Sequence, residues 1–332
     1  MVISRAGKMR RLEYGQGFDL RWRSGFNLRG FFSSPRRLYR LLIISLAVIA
    51  LVPPLFLHFR LTHFQRMQLR KCGWLNGPPL ICAHGGDSTK SFPNTMASYH
   101  HALRFHIDCI EVDVSRTADG VLVALHDRDL QQITGNSTSK VGYMNWKEIK
   151  SLDVAQKLSQ DFHDRKIPTL EEALTLISNS VRQVILDAKV GPPLYENGLA
   201  KDIVSVIKRA RCLNCLVWAK SDSLVRDIVS LSVDVVAGYI VMRDPSTGAR
   251  MKVLRMKKAQ VVGVYHPLVN ESLMRTLHHR GKKVYAWTVD DVNEMQRMLV
   301  EQVDGIVTGN PMLLRRLMQD TRTQCLLDGF PS

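Results

Sequence analysis

Nine short apolar runs, separated by helix-length segments between residues 80 and 308, most restrict how this 332-residue chain can fold. They are residues 80–83, 109–114, 121–125, 183–187, 216–219, 235–240, 261–265, 284–287 and 305–308. Each has strand length and is rich in apolar side chains. Helical segments lie between them, among them residues 169–178, 198–211, 270–280 and 292–301. Strands alternating with helices give a parallel sheet covered by helices. The stretch from residue 79 onward approaches the ~250 residues of an α/β barrel, and a hydrophobic content of 45% can fill its core. Nine runs exceed the eight strands of such a barrel by one, so one run is expected to be a hairpin partner or a distorted strand.

Polar residues of one chemical type gather at the ends of these runs. Residues 80–83 stop at His84, and residues 121–125 stop at His126-Asp127. Cys109-Ile110-Glu111-Val112-Asp113-Val114 alternates, so Glu111 and Asp113 share one face of a strand while Ile110, Val112 and Val114 share the other. A buried parallel strand has little solvated face, which favours a ligand role for the two carboxylates. Two carboxylates side by side are half of a site for a hard cation such as Mg²⁺ or Ca²⁺. Two histidines beside them are candidates to move protons near neutral pH. His84 alone would read as a satisfied core histidine; its pairing with His126 points to catalysis. Lys189 reads either as a phosphate-facing cation or as a solvated strand end, and Trp287 as a core or pocket-wall residue.

The order of these pieces resembles the glycerophosphodiester phosphodiesterase family. The matching residues are His84 and Gly86, Asn94-Thr95, Glu111-x-Asp113, Thr117-x-Asp119-Gly120 and His126-Asp127. Further on come Ile167-Pro168-Thr169-Leu170-x-Glu172, Trp287-Thr288-Val289 and Asp304-Gly305-Ile306-Val307-Thr308-Gly309-Asn310-Pro311. The likeness covers residues 79–318 and is greatest to plant-type, membrane-anchored members. It implies a TIM (β/α)8 barrel of the phosphatidylinositol-phospholipase-C-like phosphodiesterase type. It further implies hydrolysis of diesters such as glycerophosphocholine or glycerophosphoethanolamine to sn-glycerol 3-phosphate and an alcohol. In that frame His84 and His126 are the acid and base, and Glu111, Asp113 and Asp187 hold a divalent cation. Lys189, Trp287 and Gly86 face the substrate. Lysophospholipase D activity and a catalytically impaired barrel that binds lipid head groups or a protein are the alternatives.

Three positions depart from the family pattern. The arginine expected between His84 and Gly86 is Gly85, and the acidic residue expected before Asn94 is Pro93. Glycine supplies no bidentate phosphate grip and proline no metal ligand. Asp187 stands where the family has a glutamate, one methylene longer. Asp87 or Lys90, in the same loop as Gly85, is the expected partial substitute.

The net charge of +16 is concentrated at the N-terminus, where residues 1–60 hold eleven Lys/Arg against Glu13 and Asp19. This basic tail adjoins an uncharged apolar segment, residues 41–57, bracketed by Arg40 and Arg60 and interrupted by Ser45 and Pro53-Pro54. That arrangement suits an anionic membrane surface and not nucleic acid, and no nucleic-acid module is recognisable. The expected organisation is a basic tail (1–40), a transmembrane helix (41–59), a linker (60–78), the barrel (79–318, with a small insertion at 128–165) and a C-terminal tail (319–332). A buried core helix is the alternative for the apolar segment. Six Lys/Arg in residues 21–40 against four in residues 58–77 place the N-terminus in the cytosol and the barrel on the lumenal or extracellular side. An organelle transit peptide also fits the Arg-rich start. The sequons at Asn136 and Asn270 agree with a lumenal barrel. Cys82 and Cys109 read as buried apolar residues. Cys212 and Cys215 have the spacing of a redox or zinc half-site without a second pair.

Overall fold

The structure, a computed structural model, describes residues 35–152 and 166–330. The chain divides into two compact units, residues 1–63 and 64–332. Helix α1 (Pro35–Cys72) begins in the first. It is long and apolar enough to cross a membrane, with a mean hydropathy of 2.4 over its most apolar window. None of that window is buried, so the apolar segment is no core helix. The helix continues through Pro53 and Pro54, each of which removes one backbone hydrogen bond. It also runs through most of the expected linker. Residues 60–71 contain neither glycine nor proline, so nothing stops the helix before Gly73.

The second unit opens with β1 (Leu80–His84), α2 (Met96–Arg104), β2 (Cys109–Arg116) and β3 (Leu122–Ala124). Three short helices follow: α3 (Asp127–Thr134), α4 (Trp146–Lys150) and α5 (Leu170–Ile177). Then come β4 (Gln183–Ala188), α6 (Leu199–Arg209), β5 (Cys215–Ala219), α7 (Asp222–Leu231) and β6 (Val236–Val241). The chain ends with β7 (Val261–Tyr265), α8 (Glu271–His278), β8 (Lys283–Trp287), α9 (Val292–Val300), β9 (Gly305–Thr308) and α10 (Pro311–Leu327). All nine expected runs are strands, within one or two residues. Eight close a parallel barrel in the order β1-β2-β4-β5-β6-β7-β8-β9 and back to β1. The ninth, β3, pairs antiparallel with β2 outside the ring. The turn between β2 and β3 is far too short for the crossover that a parallel pair needs.

The alternation in β2 sorts as its sequence predicts. Ile110, Val112 and Val114 join the large core between barrel and helices. Cys109 points inward with Cys82, Ile185, Leu216, Trp218, Tyr285 and Val307. These side chains fill the barrel interior, Trp218 and Val307 reaching the pocket at the C-terminal ends of the strands, where the polar groups gather. The described part of the 128–165 insertion is built on a small core of its own: Leu130, Ile133, Val141 and Ile149 pack with Phe92, Val123, Leu125 and Ile167. Residues 1–34 of the expected tail and 153–165 of the insertion lie outside the described residues. Most of the expected C-terminal tail is instead the end of α10, stapled to the end of α1 by a Cys72–Cys325 disulfide. Cys212 and Cys215 form a second disulfide, which excludes zinc binding in that state, while Cys82 and Cys109 are free and buried as expected.

Candidate active site

Pairing register brings the predicted residues together. His84 of β1 lies beside Glu111 of β2, and Asp113 lies beside Asp187 of β4. His126, just after β3, is brought over the same end of the barrel by the hairpin: Leu125 N–H donates to the Asp113 carbonyl. The side chains of His84, Glu111, His126, Asp187, Lys189 and Trp287 line one pocket, together with Arg128, Trp218 and Lys220. Asp113 lies beneath it, fully buried. Of the predicted site residues, only Gly86 falls elsewhere. Its φ is +88°, and a Cβ there would stand 2.5–2.7 Å from Ser98 Oγ, C and O. Gly86 lets the loop pack on α2 and does not face the pocket.

Asn94 positions Asp113. Its amide donates to Asp113 Oδ2 (2.9 Å), and its carbonyl accepts the Asp113 backbone N–H (3.1 Å) and the Tyr99 hydroxyl (3.3 Å). Lys189 Nζ lies 2.6 Å from Asp113 Oδ1 and also pairs with Asp187 Oδ2. Burial pushes the Asp113 carboxyl up, but Lys189 and the two histidines outweigh it and hold the group well below the usual range. Burial likewise works against the Lys189 ammonium, and Asp113, Asp187 and Glu111 overcome it and keep the lysine charged. Glu111 is different. Burial, reinforced by the Asp113 charge, raises it well above an ordinary carboxyl.

Both imidazoles are biased toward the neutral form. Burial lowers His84, helped by Arg128 and Lys189 and opposed by Asp113. Burial and Lys189 lower His126 to about 4. His126 also caps α3, its Nδ1 accepting the Arg128 backbone N–H at 3.0 Å. A backbone N–H only donates, so the neutral ring carries its proton on Nε2. The two nitrogens of His126 are thereby distinguished: one holds the helix, the other carries a hydrogen.

A cation fits the base of the site. The ligand atoms of His84, Glu111 and Asp113 lie within 4.8 Å of one another. Three carboxylates face one lysine there, and burial together with the Asp113 charge raises the Glu111 carboxyl. Such a crowded oxygen-rich set is what a divalent ion relieves. Asp187 lies outside that trio, held against Lys189. The expected substitutes Asp87 and Lys90 do not line the pocket. Asp87 Oδ1 turns back to accept from Thr89 N and Oγ1 (3.1 and 2.6 Å), and Lys90 is exposed. Two cations in the pocket went unnoticed in the sequence. Lys220 follows Leu216 and Trp218 at strand period two, and that parity would have found it. Arg128 reaches the pocket from α3, for which the sequence carries no signal.

A profile of the glycerophosphoryl diester phosphodiesterase family matches residues 84–313. The chain belongs to this family. It is 56% identical over 308 residues to glycerophosphodiester phosphodiesterase GDPD4 of Arabidopsis thaliana, covering 92% of this chain and 94% of that one. It is 31% identical over 241 residues to a glycerophosphodiester phosphodiesterase of Caldanaerobacter subterraneus, covering 72% and 98%. Among solved structures, an Oleispira antarctica phosphodiesterase in complex with the product sn-glycerol-3-phosphate superposes with a TM-score of 0.63 at 24% identity, covering 73% of this chain and 97% of that one. At that identity the likeness supports the barrel fold.

Proposed function

We propose that this chain hydrolyses glycerophosphodiesters to sn-glycerol 3-phosphate and an alcohol, with His84 and His126 moving the protons. The observation that carries the reading is the pair of neutral imidazoles lining one pocket, above a buried carboxylate cluster and beside Lys189, Lys220 and Arg128. Neutral His84, 4.0 Å from Glu111 Oε2, takes the proton of the nucleophilic hydroxyl, and the imidazolium so formed lies against the Glu111–Asp113 pair. His126 presents its Nε2–H as a hydrogen bond to the leaving oxygen, and that oxygen takes its proton from the His84 imidazolium or from water. A neutral, low-pKa histidine at a helix N-terminus serves as an electrophile in the same way in triosephosphate isomerase. Glu111 and Asp113, with His84 or Asp187, would hold a divalent cation, Mg²⁺ or Ca²⁺. When bound it supplies Lewis-acid polarisation of the phosphate. Trp287 and Trp218 wall the pocket and exclude water.

Helix α1 serves in this reading as a membrane anchor, with the N-terminus cytosolic and the barrel on the lumenal or extracellular face. The charge bias across the apolar segment supports that orientation. So do the disulfides Cys72–Cys325 and Cys212–Cys215, since such bonds persist in oxidising compartments. Lysophospholipids join water-soluble diesters as substrates within reach of an anchored barrel.

The test is glycerol 3-phosphate release from glycerophosphocholine by the full-length protein in detergent, with Mg²⁺, Ca²⁺ or EDTA. Cation-dependent release that His84→Gln abolishes is the expected result. A folded protein equally inactive with and without His84, on this substrate and on lysophosphatidylcholine, would leave a binding barrel.

A further inference from the structure

A phosphodiester anion needs a cation that is free to meet it. The family supplies an arginine immediately after the first histidine, and this chain has Gly85 there. Three cations line the pocket. Lys189 is committed to Asp113 and Asp187. Lys220 stands at the end of β5. Arg128 is the third: its Nη2 lies 3.4 Å from His84 Nε2, and its only ion pair among the described residues, Nε to Asp129 Oδ1, is long at 3.6 Å.

Arg128 is poorly placed for the helix it belongs to. It is the second residue of α3, where the helix dipole disfavours positive charge. It adds a cation beside Lys189 and Lys220, and it counts among the charges that bias His84, His126 and Lys220 toward their neutral forms. A solvated surface arginine would point away from such company. Its side chain is 57% exposed, so water was available to it, yet its head group leans over His84. An anion among the three cations removes the conflict.

We propose that Arg128 is the phosphate clamp of this site, gripping the phosphodiester from α3 in place of the missing arginine at Gly85. The same structure accounts for the exchange. Gly85 has φ +62°, and a Cβ there would lie 2.8 Å from Pro93 Cβ and 3.1 Å from Asn94 N. A side chain at position 85 is therefore excluded in this conformation of the loop. The loop after β1 closes on itself at Gly85, and the guanidinium arrives from α3. The inference rests on the proposed function only in that the pocket takes a phosphoryl group.

The test is binding of sn-glycerol 3-phosphate by calorimetry to full-length protein in detergent: wild type, Arg128→Ala, Arg128→Lys and Lys90→Ala. Binding needs no turnover, so a protein that binds through Arg128 but does not hydrolyse would sink the hydrolase reading and leave this one standing. Arg128→Ala should weaken binding roughly 10- to 100-fold, the range for charge-assisted hydrogen bonds. Arg128→Lys should recover only part, because an ammonium cannot grip two oxygens at once. Lys90→Ala should bind as wild type does. Arg128→Ala should melt no lower than wild type, since a charge opposing the helix dipole is removed, so weakened binding cannot be laid to unfolding. Where turnover is measurable, its KM should rise. Binding by Arg128→Ala within twofold of wild type would overturn the proposal.

Discussion

His126 is read here as holding α3 with Nδ1 and serving chemistry with Nε2, and two substitutions separate those tasks. His126→Asn keeps an N-cap acceptor, asparagine being among the preferred caps, whereas His126→Ala discards cap and donor together. Losing the cap costs about 1 kcal/mol, which for a domain of this size lowers Tm by about 2–4 °C. Losing the donor should cost about 10²- to 10⁴-fold in kcat in both variants. A pH dependence follows as well. His126 titrates near 4 in the folded protein against 6.5 for a free histidine. The unfolded chain therefore takes up the proton first. The folded state keeps its full stability above about pH 6.5 and loses up to about 3 kcal/mol as the pH falls toward 4. Asparagine does not titrate, so His126→Asn should lack that part of the slope. The assays are thermal melts of full-length protein between pH 4.5 and 7.5, alongside glycerol 3-phosphate release. If His126→Asn melts as low as His126→Ala at pH 7.5, the capping argument is wrong. If His126→Asn keeps more than a tenth of wild-type turnover, the donor argument is wrong.

Three further outcomes follow from named contacts. Divalent cation binding should weaken as pH falls through the raised Glu111 titration and should release protons to the buffer, with Glu111→Gln abolishing that release in calorimetry run in buffers of different ionisation heat. Gly86→Ala forces a Cβ to within 2.7 Å of Ser98 at a positive φ and should destabilise the barrel by roughly 1–3 kcal/mol, read by urea unfolding. On the lumenal topology, Asn136 is exposed with its side-chain carbonyl bound to Thr138 N and Oγ1, leaving the amide nitrogen free; an endoglycosidase-sensitive mobility shift lost in Asn136→Gln should follow, and a protein of unmodified mass would count against that topology.

What the sequence made legible was whatever repeats at the period of a strand. Glu111 and Asp113 could be set on one face of β2 because Ile110, Val112 and Val114 occupied the other, and the barrel interior bears this out. The surplus ninth run resolved into β3, a hairpin strand fixed by the brevity of its turn. Boundaries read from composition fared worse. Residues 60–72 look like a linker because they are basic and polar, but helix formation there depends on the absence of a breaker, not on hydrophobicity. The end of α10 looked like a tail because what holds it, a bond between Cys72 and Cys325, joins residues 253 apart. Arg128 was illegible for a related reason: its approach to His84 depends on how α3 packs over the small core around Leu130 and Ile149, a tertiary fact with no local signature.

The charges of the site fall into two layers, which explains how the missing arginine and acid can be lost without dismantling it. Below, Glu111, Asp113 and Asp187 outnumber Lys189, and burial with the Asp113 charge raises the Glu111 carboxyl. Above, Arg128 and Lys220 join Lys189 around two imidazoles that burial, helped by Arg128 and Lys189, biases toward the neutral form. The lower layer is short of a cation and the upper layer short of an anion. A phosphodiester in the upper layer would return positive charge to the histidines just as one of them must accept a proton. Pro93 thins the lower layer by one carboxylate and Gly85 removes one cation from the loop after β1. Arg128 restores the cation from another element, so the balance between layers survives although neither family residue does.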